Sequence, residues 1–565
     1  MDGLRRRATG GLAGLCALAA TLGFVGSTGA PGATRPAAVA QADVRTDPPA
    51  GPVTPQLTCA ALAQPEPGHG VPDFGSIPGA PTRVGSAAVV SATANTPEFC
   101  DVKGYVAAQV QFELKLPTRT WQGRYLQNGC GGFCGAISPT TFPSCDLQPG
   151  GNFAVSATDD GHVAAGFDAL WAATDEQERI DLGTRAVHVV SLASKAIIAA
   201  FYGTAPRRSY FNGCSDGGRE GLQEAQQFPT DFDGIVAGAP ANVWAPLNGE
   251  FQPWLAAINS DPQGNSILTP AKLPTLHSAA IASCDAADGL VDGQIDDPRA
   301  CHFDPASIQC PAGMDQPSCL TPAQVGVVRK AYEGPVDAQG RHLYPGGEPV
   351  GSELAWAGWF VTPAGVPGFG PLIGDNYLKY SGFPIGRPTS SVQEWKFTVE
   401  GFNRLRAEGR VFNSVSPDLT AFRSRGGKLI LWQGWADQAI PPTTVTTYYG
   451  AVQDRMGGPV ATGQFARLFM FPSVYHCGGG FGPNQFDLIN PIVHWVEQGT
   501  APAQIVASQT DTGGAVVRTR PVFPYPEQAR YTGTGSIDDD ANFVGVMPAH
   551  LPNDDFDWVG QDLFH

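Results

Sequence analysis

The 565-residue chain is 42% hydrophobic and 15% charged, which excludes a disordered protein and supplies enough apolar surface for a large core. Its formal charge is −17, and about −20 once the first 40 residues, with four Arg and one Asp, are set aside. Such acidity argues against nucleic acid and anionic membrane surfaces as partners and fits small or neutral ligands.

Residues 1–40 read as an export signal. Arg5, Arg6 and Arg7 form a positive head, Leu12 to Val25 is apolar but short for a bilayer span, and Ala38-Val39-Ala40 is the neatest cleavage site. The expectation is a secreted, extracellular protein with no membrane span. Of 12 cysteines, Cys16 lies in the signal; in an oxidising compartment most of the other 11 should pair, and one is left over. Residues 41–75 are a Pro-, Ala- and Gly-rich lead-in.

Between 76 and 242 short apolar runs alternate with helical stretches. Strand signals cover Tyr105 to Leu116, Gly123 to Gln127, Phe153 to Ser156, Arg208 to Asn212 and Gly234 to Ala237. Helices are predicted over Asp181 to Tyr202, with Ala186, Val189, Val190, Ala193 and Ile197 on one side, and over Gly217 to Phe228. From 243 to 422 periodicity weakens and aromatics become frequent, among them Trp244, Phe251, Trp254, Trp356, Trp359, Phe360, Trp395 and Phe397. Four cysteines cluster between Cys284 and Cys319, so this segment reads as an insertion with its own staples. From 423 to 565 the earlier pattern resumes, with strands at Lys428 to Trp432 and Arg467 to Phe471 and helices at Thr443 to Met456 and Pro491 to Gln498. The fold class is α/β: a mainly parallel sheet flanked by helices, interrupted by a large inserted lid.

Gly213-Cys214-Ser215-Asp216-Gly217 matches G-x-S-x-G between a predicted strand and a predicted helix, where the motif has mechanical meaning. The tight turn lifts the serine clear of the backbone, and the helix N-terminus faces the oxygen that turns negative in acyl transfer. A serine hydroxyl needs a base. Of ten histidines, His476 stands out because it follows a strand and opens the glycine-rich loop His476-Cys477-Gly478-Gly479-Gly480; His188 and His494 read as ordinary positions, and His565 is terminal. Asp437, in the loop after Lys428 to Trp432, fits the orienting acid in the order Ser, Asp, His. The oxyanion donors expected are the Asp216 amide and one from Gly131 or Gly132, in a loop that a local disulfide from Cys130 or Cys134 would brace.

With these residues in place the chain resembles the tannase and feruloyl esterase family. Cys214 directly precedes the proposed nucleophile and Cys477 directly follows the proposed base. The resemblance implies a Cys214–Cys477 disulfide tying the two loops together, and such a long closed loop contributes several kcal/mol, roughly 4–5, in a chain-entropy model. It further implies Cys59–Cys100, Cys284–Cys301 and Cys310–Cys319, leaving one of Cys130, Cys134 and Cys145 free. Cys284-Asp285-Ala286-Ala287-Asp288-Gly289-Leu290-Val291-Asp292-Gly293-Gln294 looks like that family's lid calcium loop, its three carboxylates suiting a hard cation. The implied ligands to a structural Ca²⁺ are side-chain oxygens of Asp285, Asp288 and Asp292 and carbonyl oxygens of Leu290 and Gln294.

Two positions depart from the family pattern: Gln433 stands where histidine is common, and Asp216 where another residue is common. An acidic side chain beside the oxyanion site is expected to disfavour anionic substrates. The resemblance implies hydrolysis of aromatic carboxylic esters, with feruloyl, caffeoyl, p-coumaroyl or galloyl groups, or an aromatic mono-ester such as mono(2-hydroxyethyl) terephthalate. The rival readings are a peptidase or general lipase with the same triad and a non-catalytic, calcium-stabilised extracellular binding protein.

Overall fold

The structure is a computed structural model that describes residues 51–64, 71–137, 152–549 and 554–564. The export signal, residues 41–50 of the lead-in, and Cys145 lie outside the described residues. Nine strands form one sheet: β1 (Thr82–Val90), β2 (Phe99–Val106), β3 (Val110–Pro117), β4 (Arg124–Asn128), β5 (Phe153–Thr158), β6 (Arg208–Cys214), β7 (Gly234–Gly238), β8 (Lys428–Gly434) and β9 (Ala466–Phe471). Their order is β1-β2-β3-β5-β4-β6-β7-β8-β9. From β5 to β9 all neighbours are parallel, while β1, β2 and β3 add antiparallel strands at one edge. Strands β5 and β7 are buried along their whole length, as a parallel sheet covered on both faces requires.

The alternation across Tyr105 to Leu116 is not one strand. The chain turns after Val106, and β2 and β3 form a hairpin with Val106 paired to Val110. Both arms present alternate residues to the same core, so a period of two runs through the tight turn unbroken. The edge strand β1 went unpredicted, because eight of its nine residues keep some exposure and its apolar pattern is weak.

Helix α1 (Glu176–Tyr202) begins earlier than predicted, where the Asp175 side chain accepts from the amides of Gln177 and Glu178 at 2.8 and 3.2 Å. By length and composition α1 could cross a membrane, but Ala186, Val189, Val190, Ala193 and Ile197 are buried in the core. A π-helical turn over Asp181–Arg185 interrupts it. The carbonyls of Leu182 and Gly183 in that turn accept from the Arg219 guanidinium at 2.8 and 2.9 Å. Helix α2 (Asp216–Gln227) follows β6 directly, and ten consecutive residues from Asp216 to Ala225 are buried.

The sheet is interrupted in sequence but not in space. Strands β7 and β8 pair with Gly234 opposite Lys428, so residues 239–427 leave the sheet and return to its next strand. That insertion is helical, with helices at Leu273–Cys284, Pro322–Glu333 and Val399–Phe412, and it buries Trp244, Phe251, Trp356, Phe360 and Trp395. Cys284–Cys301 and Cys310–Cys319 cross-link it. Residues 45–565 form one compact unit. After β9, helix α3 (Ile489–Gln498) packs against β7 and β8, and its Glu497 accepts two 2.7 Å bonds from Arg124 on β4. Two hairpins that sequence periodicity did not reveal follow, Ile505–Thr510 with Val516–Val522 and Gln528–Tyr531 with Phe543–Val546.

Candidate active site

Ser215, Asp437 and His476 come from three loops at the C-terminal ends of β6, β8 and β9, the edge where open α/β sheets place their ligands. Ser215 caps α2 with φ +66° and ψ −119°, a strained conformation for any residue but glycine. Sterics around it explain the glycines. A Cβ on Gly213 would lie 2.5 Å from the Gly217 carbonyl carbon, and one on Gly218 would lie 2.2 Å from the Gly238 oxygen.

Asp437 is wholly buried and accepts four hydrogen bonds. Its Oδ1 takes the amides of Ala439 and Ile440 at 2.8 and 2.9 Å. Its Oδ2 takes Gln433 Nε2 at 2.8 Å and faces His476 Nδ1 at 2.9 Å. Gln433, the departure from the family pattern, is therefore a second-row support: its amide also donates to the Ile440 carbonyl at 3.0 Å and ties the acid loop together. Sequence reading registered Gln433 only as an anomaly. His476 is held in addition by its amide, which donates to Gln438 Oε1 at 3.3 Å. A Cys214–Cys477 disulfide, with 5.9 Å between the Cα atoms, joins the residue before Ser215 to the residue after His476.

On the other side of Ser215, the loop after β4 approaches α2. The Gly217 amide donates to the Cys130 carbonyl at 2.8 Å and the Ser215 amide to Gly238 O at 3.0 Å, so the Asp216 amide lies between two committed neighbours. Likewise Cys130 N donates to Glu220 Oε2 and Phe133 N to Gly166 O, with the Gly131 and Gly132 amides between them. Gly132 has φ +65°, and a Cβ there would lie 2.4 Å from the Gly166 oxygen, whereas Gly131 faces open space. Both glycines line the same cavity as Ser215 and His476.

A Cys130–Cys134 disulfide braces this loop. Beneath it the Asp160, Asp216 and Glu220 carboxylates crowd against the two sulfurs, all five side chains lying within 4.8 Å of one another. Such a donor set is able to hold a metal ion, but disulfide sulfur is a poor ligand and Arg219 already brings a positive charge, paired directly with Asp216. Burial, and then repulsion by Asp216, raises the Glu220 carboxyl to about 7. The expected influence of Asp216 on anionic substrates is corrected here: its side chain is wholly buried, turned to Arg219, and absent from the cavity lining.

The cavity has a volume of about 270 Å³ and apolar walls supplied by Phe133, Phe167, Trp244, Leu247 and Ile373. The insertion provides Trp244, Leu247, Trp359 and Ile373, and the Trp359 ring stands 6.4 Å from that of His476. The Arg219 guanidinium lies over the Trp244 ring, 5.1 Å from its centroid.

The acidic loop lies elsewhere, after the helix Leu273–Cys284. Asp285 Oδ1 accepts the amides of Asp292 and Gly293 at 3.0 Å each, and Asp288 Oδ1 accepts Leu290 N at 2.9 Å. Asp292 pairs with Arg520. Asp288, Leu290 and Asp292 line a cavity of about 330 Å³ together with Asp296, which sequence reading missed. Burial, then Asp288 and Asp292, pushes the Asp296 carboxyl well above the ordinary range, the mark of negative charge in excess. Gln294 Nε2 donates to Asp292 Oδ2 at 2.8 Å while its Oε1 turns to Gly482, and neither Gln294 nor Asp285 is among the residues lining that cavity. This oxygen-rich, under-neutralised set fits a hard divalent cation.

The family model for tannase and feruloyl esterase matches residues 91–546, and the chain belongs to that family. It is 35% identical over 538 residues to mono(2-hydroxyethyl) terephthalate hydrolase of Piscinibacter sakaiensis, covering 82% of this chain and 87% of that protein. It is 31% identical to a probable feruloyl esterase of Arthroderma benhamiae, covering 74% and 79%. Among solved structures, feruloyl esterase B from Aspergillus oryzae superposes with a TM-score of 0.73 at 27% identity over 82% of this chain and 97% of that one. Tannin acyl hydrolase from Aspergillus niger shares the fold with a TM-score of 0.63 at 22% identity, over 90% and 95%. The chain is thus a carboxylic ester hydrolase of the feruloyl esterase and tannase type with an α/β-hydrolase fold.

Proposed function

We propose that this member of the family is a secreted serine esterase that cleaves aromatic carboxylic esters through an acyl-enzyme. The observation that carries the reading is the 2.9 Å contact between His476 Nδ1 and buried Asp437, with His476 and the strained Ser215 lining one apolar cavity. His476 Nε2 takes the Ser215 proton as the hydroxyl oxygen attacks the ester carbonyl. The amides of Asp216 and of Gly131 or Gly132 hold the oxyanion. His476 returns the proton to the departing alcohol, and a water activated the same way then releases the acid and frees Ser215. Asp437 keeps the proton of His476 on Nδ1 and stabilises the imidazolium.

The apolar cavity, with Trp244 and Trp359 from the lid, supports an aromatic acyl group: feruloyl, caffeoyl, p-coumaroyl or galloyl. The 35% identical relative favours a second reading, a terephthalate mono-ester as substrate. A structural Ca²⁺ would be held by Asp285, Asp288 and Asp292 with the carbonyls of Leu290 and Gln294, where it would neutralise the acidic loop and supply no chemistry to the ester. Five disulfides among the described residues support an oxidising, extracellular location.

The test is a hydrolysis panel of methyl ferulate, methyl caffeate, methyl gallate, chlorogenate and a terephthalate mono-ester, with burst release from p-nitrophenyl acetate. Ser215→Ala should abolish turnover. Inactivity of the folded, calcium-loaded protein on every ester, or full activity of Ser215→Ala, would overturn the reading.

A further inference from the structure

Away from the ester cavity, three side chains from three elements converge: His188 on α1, Glu224 on α2 and Asp231 in the turn that leads into β7. Their nitrogen and oxygen ligand atoms all lie within 4.8 Å of one another. A short turn brings this about. Phe228 N donates to the Glu224 carbonyl and Asp231 N to the Phe228 carbonyl, at 3.0 Å each, so the chain leaving α2 folds Asp231 back beside Glu224. Phe228 also stacks on the His188 imidazole, with centroids 3.9 Å and planes 9° apart, and fixes the ring. His188 Nδ1 then faces Asp231 Oδ2 at 2.6 Å. Glu224 lies nine residues beyond Ser215 on the same helix, roughly 14 Å along its axis, so the cluster is separate from the triad.

Glu224 is the member that calls for a ligand. It is 1% exposed, and neither of its carboxylate oxygens has a hydrogen-bond partner among the described residues. Asp231 is 3% exposed. The neighbouring cation is Lys195 of α1, whose ammonium donates to the Asp231 main-chain carbonyl and lies over the Phe232 ring, 5.2 Å from its centroid. Two carboxylates against one ammonium leave a surplus of negative charge. A buried carboxylate is costly unless it is paired or bound to a metal.

The donor types select the ion. One imidazole nitrogen and two carboxylates suit a borderline divalent cation such as Zn²⁺, whereas a Ca²⁺ site offers oxygen alone. Donors at about 2.0–2.1 Å in a tetrahedral shell stand roughly 3.4 Å apart, so His188 and Asp231 need to part by less than about 1 Å. The His188 side chain is 25% exposed, which gives an ion a way in.

We infer that His188, Glu224 and Asp231 form a structural site for a zinc-type divalent ion, distinct from the acidic lid loop, that clasps α1, α2 and the approach to β7. The ion replaces the proton held between His188 and Asp231, which passes to solvent, and water from the exposed side of His188 completes the shell. No step of the ester chemistry passes through it.

The test is calorimetric titration of the intact, disulfide-bonded chain with Zn²⁺, after EDTA treatment and dialysis into excess Ca²⁺ so that the lid loop does not compete. The parent should take up one Zn²⁺ per chain with a Kd below about 10 μM and release protons as it does so, read from the dependence of the heat on the buffer. Its melting temperature should rise by about 2 °C at a hundredfold excess over Kd. His188→Gln and the isosteric Glu224→Gln should each weaken binding by at least about tenfold, and either folded variant decides alone. No saturable uptake by the parent would overturn the inference, leaving Glu224 and Asp231 to share a proton instead. Affinity within about threefold of the parent in a folded variant would overturn it too, by placing the zinc elsewhere.

Discussion

Replacing Gln433 by Met separates what holds the triad from what holds the fold. Gln433 is wholly buried, and Met nearly matches its volume, so no large cavity opens. Two hydrogen bonds vanish, the 2.8 Å bond to Asp437 Oδ2 and the 3.0 Å bond to the Ile440 carbonyl. A bond to a charged group contributes about 1.5–3 kcal/mol and a neutral one about 0.5–1.5 kcal/mol. Against that, the Gln433 oxygen is itself buried without a partner, and removing it returns about 1–3 kcal/mol. Stability should therefore fall by about 1 kcal/mol at the middle of these ranges and by no more than about 3.5 kcal/mol. Activity has no such offset. Asp437 keeps its two amide donors on Oδ1 but loses the only side chain besides His476, among the described residues, that fixes Oδ2. If that bond positions the carboxylate, about 1.5–3 kcal/mol of transition-state stabilisation goes with it, a drop of roughly 10- to 100-fold in kcat/KM. Because Gln433 does not line the cavity, the loss should fall on kcat and leave KM in place. The assay is steady-state hydrolysis of methyl ferulate beside a thermal melt. A folded Gln433→Met protein with kcat/KM within about twofold of the parent would refute the positioning role, and so would a loss confined to KM.

Breaking the Cys214–Cys477 tie with the double substitution to Ser should lower stability by several kcal/mol, roughly 4–5, and reduce kcat more than KM, read by denaturant titration and kinetics. The Glu220 carboxyl sits at about 7 in the fold against an ordinary 4.5, so the folded state holds its proton longer than the unfolded chain. Its contribution is then full below about pH 4.5 and declines as pH climbs to about 7, and Glu220→Gln should flatten melting temperature across that window. Chelation by EDTA should lower the melting temperature and Ca²⁺ should restore it, the stability it adds being about 2.7 kcal/mol at a hundredfold excess over Kd, with Asp288→Asn blunting the response. Gly218→Ala would place a methyl 2.2 Å from the Gly238 oxygen and should cost about 1–3 kcal/mol while distorting the Ser215 turn, measured as lost stability together with lost burst amplitude.

Much of the site was legible because its signals are local. Gly213 is set by its close neighbour Gly217, although Gly217 and Gly218 answer to Cys130 and Gly238 from other loops, and Asp437 and His476 follow apolar runs that announce buried parallel strands. Cys214 and Cys477, together with the acidic run from Asp285 to Asp292, carried the family resemblance and its disulfide and calcium implications. The β2–β3 turn escaped because a hairpin preserves the period of two on which the strand signal rests. Asp296 escaped because a single carboxyl beyond a motif has no pattern of its own.

By itself the sequence determined the α/β class, the strained serine turn, and the order in which serine, acid and histidine occur, since each depends on backbone propensity or on neighbours a few bonds away. Only the tertiary structure decided that Arg219 neutralises Asp216, that Gln433 supports Asp437, and that Asn248, Gln252 and Trp359 meet at the cavity beside Ser215. Trp359 and Ser215 are separated by a long stretch of chain, and their meeting depends on how the insertion packs back over the sheet. Packing of that kind sums many weak contacts between distant residues, and no short run of sequence carries their total.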